Sequence, residues 1–514
     1  MSIPSDAMPV VRHTAPHVGA GSGIPPRRRP AAMALMLAAV LGLGACATRP
    51  VNPPIKETRA ESGYDYQTRQ QHFKRSDTLV ILAFSGGGTR AAAFSYGVLE
   101  YLKRTQLVAA DGSKRRLLDS VDIITGVSGG SFTALAYGLY GDKLFDDYEQ
   151  RFLKRNVQGE IIARSFNPAY WGDLVSTGWG RSELAAQLYD EILFHDATFA
   201  DLNRGDGPLI LVSATDISTG ARLSFQQGMF DFLCSDLGAM RLSRAAAASS
   251  AVPVVLSPVT INNYGGNCGA ALPPWLAPFA KLEEPPRPAS RALRWLQDAA
   301  AYADSATHPY IHLVDGGVSD NLGMRGVLDA LSLLEALHGA GKPTPLDHVR
   351  NIVIVIVNSL SSPPTGWDKS ESGPGTLEVL LQASGVPIDH FSFETIESVE
   401  DTAARWRSLH KVRELAQCAQ GMNAALCDYV RPPQATIYAI DVSFAALKAT
   451  DPAEFDYLNS LPTSFVLPDE AVDRLRAAAG TIIAHSPQFK RLLVEGGLRI
   501  VPAPAPAASD VASH

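Results

Sequence analysis

Short apolar runs separated by helical stretches fill the middle of this chain, and they restrict its architecture more than any other feature. Leu79–Phe84, Val121–Thr125, Leu209–Thr215, Ile311–Val314 and Ile352–Val357 are strand-length, often β-branched and bounded by Gly, Asp or Ser. Such alternation implies an α/β fold with a substantially parallel sheet, because a parallel neighbour needs a crossover long enough to hold a helix. Ala435–Val442 reads as a late strand and Phe391–Asn423 as mostly helical, while Ser361–Gly375 is a Pro/Gly/Ser loop. Residues 144–207 and the Pro-rich 270–310 read as elaborations around a site, and no internal repeat is visible.

Charge and composition then remove whole classes of function. With 45 Lys and Arg against 52 Asp and Glu, the formal charge is −7, which argues against strongly cationic nucleic-acid binding. A chain that is 46% hydrophobic and 19% charged is neither disordered by composition nor a multi-span membrane protein.

The N-terminus has the order of an export signal. Arg27, Arg28 and Arg29 precede a small or apolar stretch, Ala31 to Ala45, too short to span a bilayer comfortably. Leu43-Gly44-Ala45-Cys46 resembles the lipobox of bacterial lipoproteins, which implies cleavage before Cys46 and acylation there. Residues 1–45 are thus expected to be a lipoprotein signal peptide and 46–76 a lipidated, flexible tether lifting a catalytic body off a membrane; Ala47, which is not Asp, favours the outer membrane. The leader before the arginines is long, so Met8 and Met33 are alternative starts. Four cysteines remain after the signal: pairing within Cys234/Cys268 and within Cys418/Cys427 is expected, with free buried thiols as the open alternative.

Three segments carry chemistry. In the first, the strand at Leu79 runs into Gly86, Gly87 and Gly88 and then a helical pattern, with Arg90 in its first turn. Glycines there let successive N–H groups converge at a helix N-terminus, which suits a phosphate or the oxyanion of acyl transfer. The Gly-Lys-Ser/Thr ending of a P-loop and the G-x-G-x-x-G of a dinucleotide site are both missing. A cation in the first turn is poorly placed for the helix dipole, which favours an anion-facing role for Arg90. In the second, Gly126-x-Ser128-x-Gly130 lies between a strand and a helix, the setting of a nucleophile elbow. In the third, a strand ends at Asp315 followed by Gly316 and Gly317. Each could be a plain turn; the last in particular is an ordinary Asp-Gly-Gly turn when taken alone.

Together, in this order, they resemble the patatin-like phospholipase family of serine lipid acyl hydrolases. Ala214–Phe225 and Ala246–Pro253 also look like family segments, so the resemblance spans about residues 78–330. It implies a three-layer α/β/α fold around a largely parallel sheet with additional helices, Ser128 as nucleophile, Asp315 as its base, and Gly86, Gly87, Gly88 and Arg90 as the oxyanion loop. Ser85 stands where many members have an acidic residue, and Ala91 where Gly is frequent. The expected organisation is a catalytic core over 77–330, a part completing or covering it over 331–500, and a disordered Pro/Ala tail over 501–514.

A Ser–Asp pair needs burial, since a solvated Asp near pKa 3.9 is a poor proton acceptor. The alternative triad would recruit His338, His348, His390 or His410, none of which has a telling context; His312 reads as a strand residue, and Asp320 and Asn321 as turn formers. Nothing resembles a calcium loop or metal cluster, so no cofactor is expected. The expected function is hydrolysis of phospholipid or lysophospholipid esters at a membrane face. A non-catalytic lipid-binding or envelope-assembly protein and a short-chain esterase are the alternatives. Head group, acyl position, oligomeric state and protein partners are not legible.

Overall fold

The structure, a computed structural model, describes residues 49–501 apart from 60, 74–76, 109–111, 175–179, 272–289 and 364. The expected signal peptide, Cys46 and all but the first residue of the expected tail lie outside the described residues.

Among the described residues, eleven strands form two sheets. They are β1 Thr78–Phe84, β2 Gln106–Val108, β3 Lys114–Arg116, β4 Ile123–Gly126, β5 Leu209–Asp216, β6 Arg222–Ser224, β7 Val259–Asn262, β8 Tyr310–Val314, β9 Asn351–Asn358, β10 Thr436–Ser443 and β11 Arg499–Val501. The main sheet runs β10-β9-β1-β4-β5-β8-β7, with β6 also paired to β5, and β11-β2-β3 make a small separate sheet. β10, β9, β1, β4 and β5 are parallel, whereas β8 is antiparallel to both β5 and β7. This mostly parallel sheet flanked by helices is the α/β fold expected from the alternating pattern.

β9, Asn-Ile-Val-Ile-Val-Ile-Val-Asn, shows why: seven of its eight residues are buried, as befits an interior parallel strand covered on both faces. The helices that matter below are α1 Gly88–Arg104, α2 Gly129–Tyr140, α3 Leu242–Ser249, α4 Thr376–Leu415 and α5 Asp469–His485. α1 and α2 begin directly after β1 and β4, and α5 packs along α1. Residues 331–500 therefore complete the sheet, with β9 and β10, and supply a covering helix.

The segment expected as a flexible tether is instead a strap. Ile55 N–H donates to the Cys234 carbonyl at 2.8 Å, the Tyr64 hydroxyl accepts the Ile210 N–H at 2.7 Å, and buried Arg69 donates to the carbonyls of Leu202, Asn203, Gly205 and Gly207. Its polar, proline-containing composition suggested solvation, but Ile55, Tyr64 and Arg69 are buried against the body. Disulfides join Cys234 to Cys268 and Cys418 to Cys427. The short strand β7 went unrecognised in the sequence because four residues give little periodicity and its ladder partner lies about fifty residues on.

Candidate active site

The carboxyl ends of β1 and β4, with the end of β8, meet at one point. After β4 the chain turns sharply through Ser128, whose φ of +48° is rare for a side chain with a Cβ, and enters α2. The glycines on either side permit that turn. A Cβ on Gly130 would stand 2.6 Å from the Ser85 carbonyl oxygen, and one on Gly126 would stand 2.9 Å from the Ser131 Cα.

The antiparallel β8 delivers Asp315 to the same place. Ser128 Oγ donates to Asp315 Oδ2 at 2.8 Å, and Gly317 N–H donates to Asp315 Oδ1 at 2.8 Å. Both side chains are buried, at 4% and 7% exposure. Burial pushes the Asp315 carboxyl up to about 6, while the Gly317 amide and the Ser128 hydroxyl pull it the other way. A carboxylate so placed is a far better proton acceptor than a solvated one, yet it remains ionised at neutral pH. A Cβ on Gly316 would collide with the Ser213 carbonyl, so this glycine is required by close packing.

One segment braces both Ser128 and Asp315. Ser128 N–H donates to Ser249 Oγ at 2.9 Å, Asp315 N–H to the Ala251 carbonyl at 2.9 Å, and Gly316 N–H to the Ser249 carbonyl at 3.0 Å. Ser249 lies within Ala246–Pro253, but no local signal distinguished it from its serine neighbour.

The glycine loop comes from β1. Gly87 and Gly88 have φ of +138° and +60°, and the second is where α1 begins. The Gly86 N–H is committed to the Asn321 carbonyl at 3.0 Å and the Thr89 N–H to the Ser464 carbonyl at 2.8 Å. Gly87 and Gly88 are thus the loop glycines whose N–H groups have no backbone acceptor among the described residues, as the first amides of a helix lack one within it. The loop's own brace is Ser359, whose Oγ donates to the Gly86 carbonyl at 3.0 Å and whose N–H donates to Ser85 Oγ at 3.0 Å.

Arg90 spends its hydrogen bonds on neutral acceptors. Its guanidinium is buried and donates to the Ser359 carbonyl at 2.7 Å, the Leu461 carbonyl at 2.8 Å and Thr463 Oγ1 at 3.1 Å. Burial lowers it to about 10, partly offset by the Asp389 carboxylate. It is a strut tying α1 to residues 269 to 373 positions away; its place in the first helical turn indicated nothing of those acceptors.

Three of the histidines have partners elsewhere: His338 bonds Asp347, His410 meets the Pro433 carbonyl and His312 meets Thr260 Oγ1. Among the described residues no histidine hydrogen-bonds Ser128 or Asp315. Asp320 is buried and accepts from the Met324 and Arg325 N–H groups, as a turn former does. Asn321 does more than shape a turn, for its Nδ2 also donates to Ser392 Oγ on α4 at 3.2 Å. Among the described residues no group of three or more His, Cys, Asp or Glu could hold a metal ion.

Residues 82–328 match the family model for patatin-like phospholipase. No curated protein matches the sequence. Among solved structures, human GIVD cytosolic phospholipase A2 is similar at 14% identity and a TM-score of 0.40, over 83% of this chain and 62% of that one. The same human enzyme in complex with methyl gamma-linolenyl fluorophosphonate gives 14% identity and 0.38, over 89% and 63%. VipD from Legionella pneumophila gives 9% and 0.26, over 90% and 74%. The chain thus spans less than two thirds of the length of the human enzyme. The family model covers the glycine loop, the elbow and the Asp315 turn in one continuous match, and residues 82–328 belong to the patatin-like phospholipase family.

Proposed function

We propose that this chain is a serine acyl hydrolase that cleaves carboxylic esters of phospholipids or lysophospholipids through Ser128 and Asp315. The observation that carries this reading is the 2.8 Å contact between a buried seryl hydroxyl and a carboxylate held near neutral basicity. Ser128 Oγ attacks the ester carbonyl carbon as its proton passes to Asp315 Oδ2. The Gly87 and Gly88 N–H groups are the candidates to meet the oxyanion; each donor of this kind is worth about 2.7–4 kcal/mol in measured cases. The tetrahedral intermediate then collapses, the alkoxide leaves with the proton from Asp315, and an acyl-Ser128 ester remains. Water attacks that ester with Asp315 as base, releasing the fatty acid and restoring the hydroxyl.

In the same reading the chain is an exported bacterial lipoprotein, acylated at Cys46 and held at the outer membrane, so that its substrate is the lipid around it. The order of basic flank, apolar run and Cys46 supports this part. No described helix is long and apolar enough to cross a membrane.

Labelling with a fluorophosphonate tests the nucleophile directly. The native chain is expected to form a covalent adduct that Ser128→Ala abolishes, and a panel of defined lipids is expected to yield free fatty acid. No Ser128-dependent adduct and no acyl release would put a non-catalytic lipid-binding role in its place. Turnover of short soluble esters alone would mark a simple esterase.

A further inference from the structure

The strap fixes which way the molecule faces. β5 ends at Asp216, on the carboxyl edge of the sheet where Ser128 and Asp315 meet. β8 runs antiparallel to it, with Thr215 opposite Val314 and Asp216 opposite Leu313, so Ile311 and Tyr310 lie beyond that edge. β7 follows β8 outward, with Asn262 opposite Tyr310. At roughly 3.3 Å per residue the tip of this pair stands about 10 Å past the end of β5. Arg49 is bound at that tip: it donates to the Thr260 carbonyl at 3.1 Å and to Asn262 Oδ1, and lies over the Tyr310 ring. From there the strap descends to Tyr64 and Arg69 at the opposite edge, where β5 begins.

Cys46 is only three residues before Arg49. Three peptide units of 3.8 Å reach at most about 11 Å, so an acyl chain on Cys46 enters the bilayer close to the carboxyl edge. A body on such a short leash cannot stand away from its membrane.

The same side carries exposed apolar surface. α4 starts beyond the end of β9 and first buries side chains at Ser392, Thr395 and Val399. Ser392 is level with the glycine loop through Asn321, so the preceding stretch from Thr376 to Phe391, about 22 Å of helix with Pro387 inside it, lies between that contact and the end of β9 at the carboxyl edge. None of the described side chains in that stretch is buried, and Val379 through Ile388 contains no charge. Val379 and Leu380 are half exposed, as is Phe393 at 62%. Val254 and Val255, a few residues beyond the Ala251 carbonyl that binds the Asp315 amide, are also half exposed.

We propose that the carboxyl-edge face is a membrane-docking surface: the N-terminal arm of α4, with Phe393, Val254 and Val255, enters the outer part of the leaflet that holds the Cys46 acyl chains. This rests on the anchored-hydrolase reading above and deepens it by assigning the orientation. The arm lies in the interface and does not span it, and the dyad opens toward the lipid it sits on. The occupant is a bilayer, because the leash to Cys46 brings lipid to this face.

The test uses the full lipidated chain in phosphatidylcholine/phosphatidylglycerol vesicles. Environment-sensitive fluorophores are placed on Val379→Cys and, as a control near the opposite edge, on Arg204→Cys. The label at 379 is expected to shift to the blue and to be quenched at least threefold more strongly by brominated lipid than the label at 204. Equal quenching, or a label at 379 that stays in water, overturns the proposal. So does a vesicle-free dimer in which the 379 label is already shielded, since a second copy would then own the face. Intact mass reports acylation at Cys46 and fluorophosphonate labelling reports the dyad, so failure of the underlying reading is seen separately. As a second measurement, Val379→Asp/Leu380→Asp is expected to lower the ratio of vesicle-lipid to soluble-ester turnover at least tenfold; an unchanged ratio overturns the proposal even if the labelled variants fail to fold.

Discussion

The Ser128 elbow and the glycine loop pack against each other but are braced largely from different halves of the chain. Ser128 and Asp315 are held by the 249–251 segment, which lies within the family domain. The glycine loop leans on Val357, Ser359 and Ser464, which lie outside it: Ser85 N–H donates to the Val357 carbonyl, and a Cβ on Gly88 would collide with the Ser464 carbonyl. The dyad is therefore built by the motif-bearing half alone. The glycine loop is tied to Asn321 within that half as well, but the rest of its bracing comes from β9 and the 459–466 region.

The largest effect should fall on the dyad. Asp315→Asn keeps the shape but removes the base, and lipid turnover is expected to fall about a thousandfold or more, measured as fatty acid released. The same change should stabilise the fold. Because burial raises the carboxyl, the folded chain binds this proton more tightly than the unfolded one. Its contribution to stability is whole below the ordinary value of 3.8 and is lost as pH climbs through about 6. Above that pH the substitution should recover up to about 3 kcal/mol, read from denaturant midpoints, and the gain should vanish toward pH 4. In the native chain kcat/KM should drop on the acid side with a midpoint near 6; a midpoint near 4 would show that the carboxyl is solvated.

An intermediate effect is expected in the loop. Gly88→Ala puts a Cβ at φ of +60° against the Ser464 carbonyl, so the loop must shift by enough to misplace its amides. A loss of about a hundredfold in kcat, with the acid limb still near 6, would fit removal of an oxyanion donor. An unperturbed kcat would dismiss the loop as a donor.

The smallest effects sharpen the contrast between the two braces. Ser249→Ala removes one buried hydroxyl contact and Ser359→Ala two, to the Gly86 carbonyl and Ser85 Oγ, and each should cost about tenfold in turnover. Their signatures should differ: Ser249→Ala loosens the pair that shares a proton and should move the acid limb, whereas Ser359→Ala should leave it in place. Identical pH profiles would mean that the two halves do not divide the site as described.

Much of the site was legible because turn chemistry is local. A strand that runs into Gly-x-Ser-x-Gly or Asp-Gly-Gly announces a sharp turn at a sheet edge whatever the rest of the chain does, and the buried parallel strands betray themselves by unbroken β-branched runs. The order of the motifs and the α/β class were contained in such short windows. What no window contained was the use of each group. Arg90 finds its acceptors at Ser359, Leu461 and Thr463, Gly86 spends its amide on Asn321, and the polar N-terminal segment becomes a strap because Tyr64 and Arg69 meet groups about 130 to 150 residues away. A backbone turn depends on its own residues; a hydrogen-bond partner depends on which distant atoms the finished sheet brings within 3 Å.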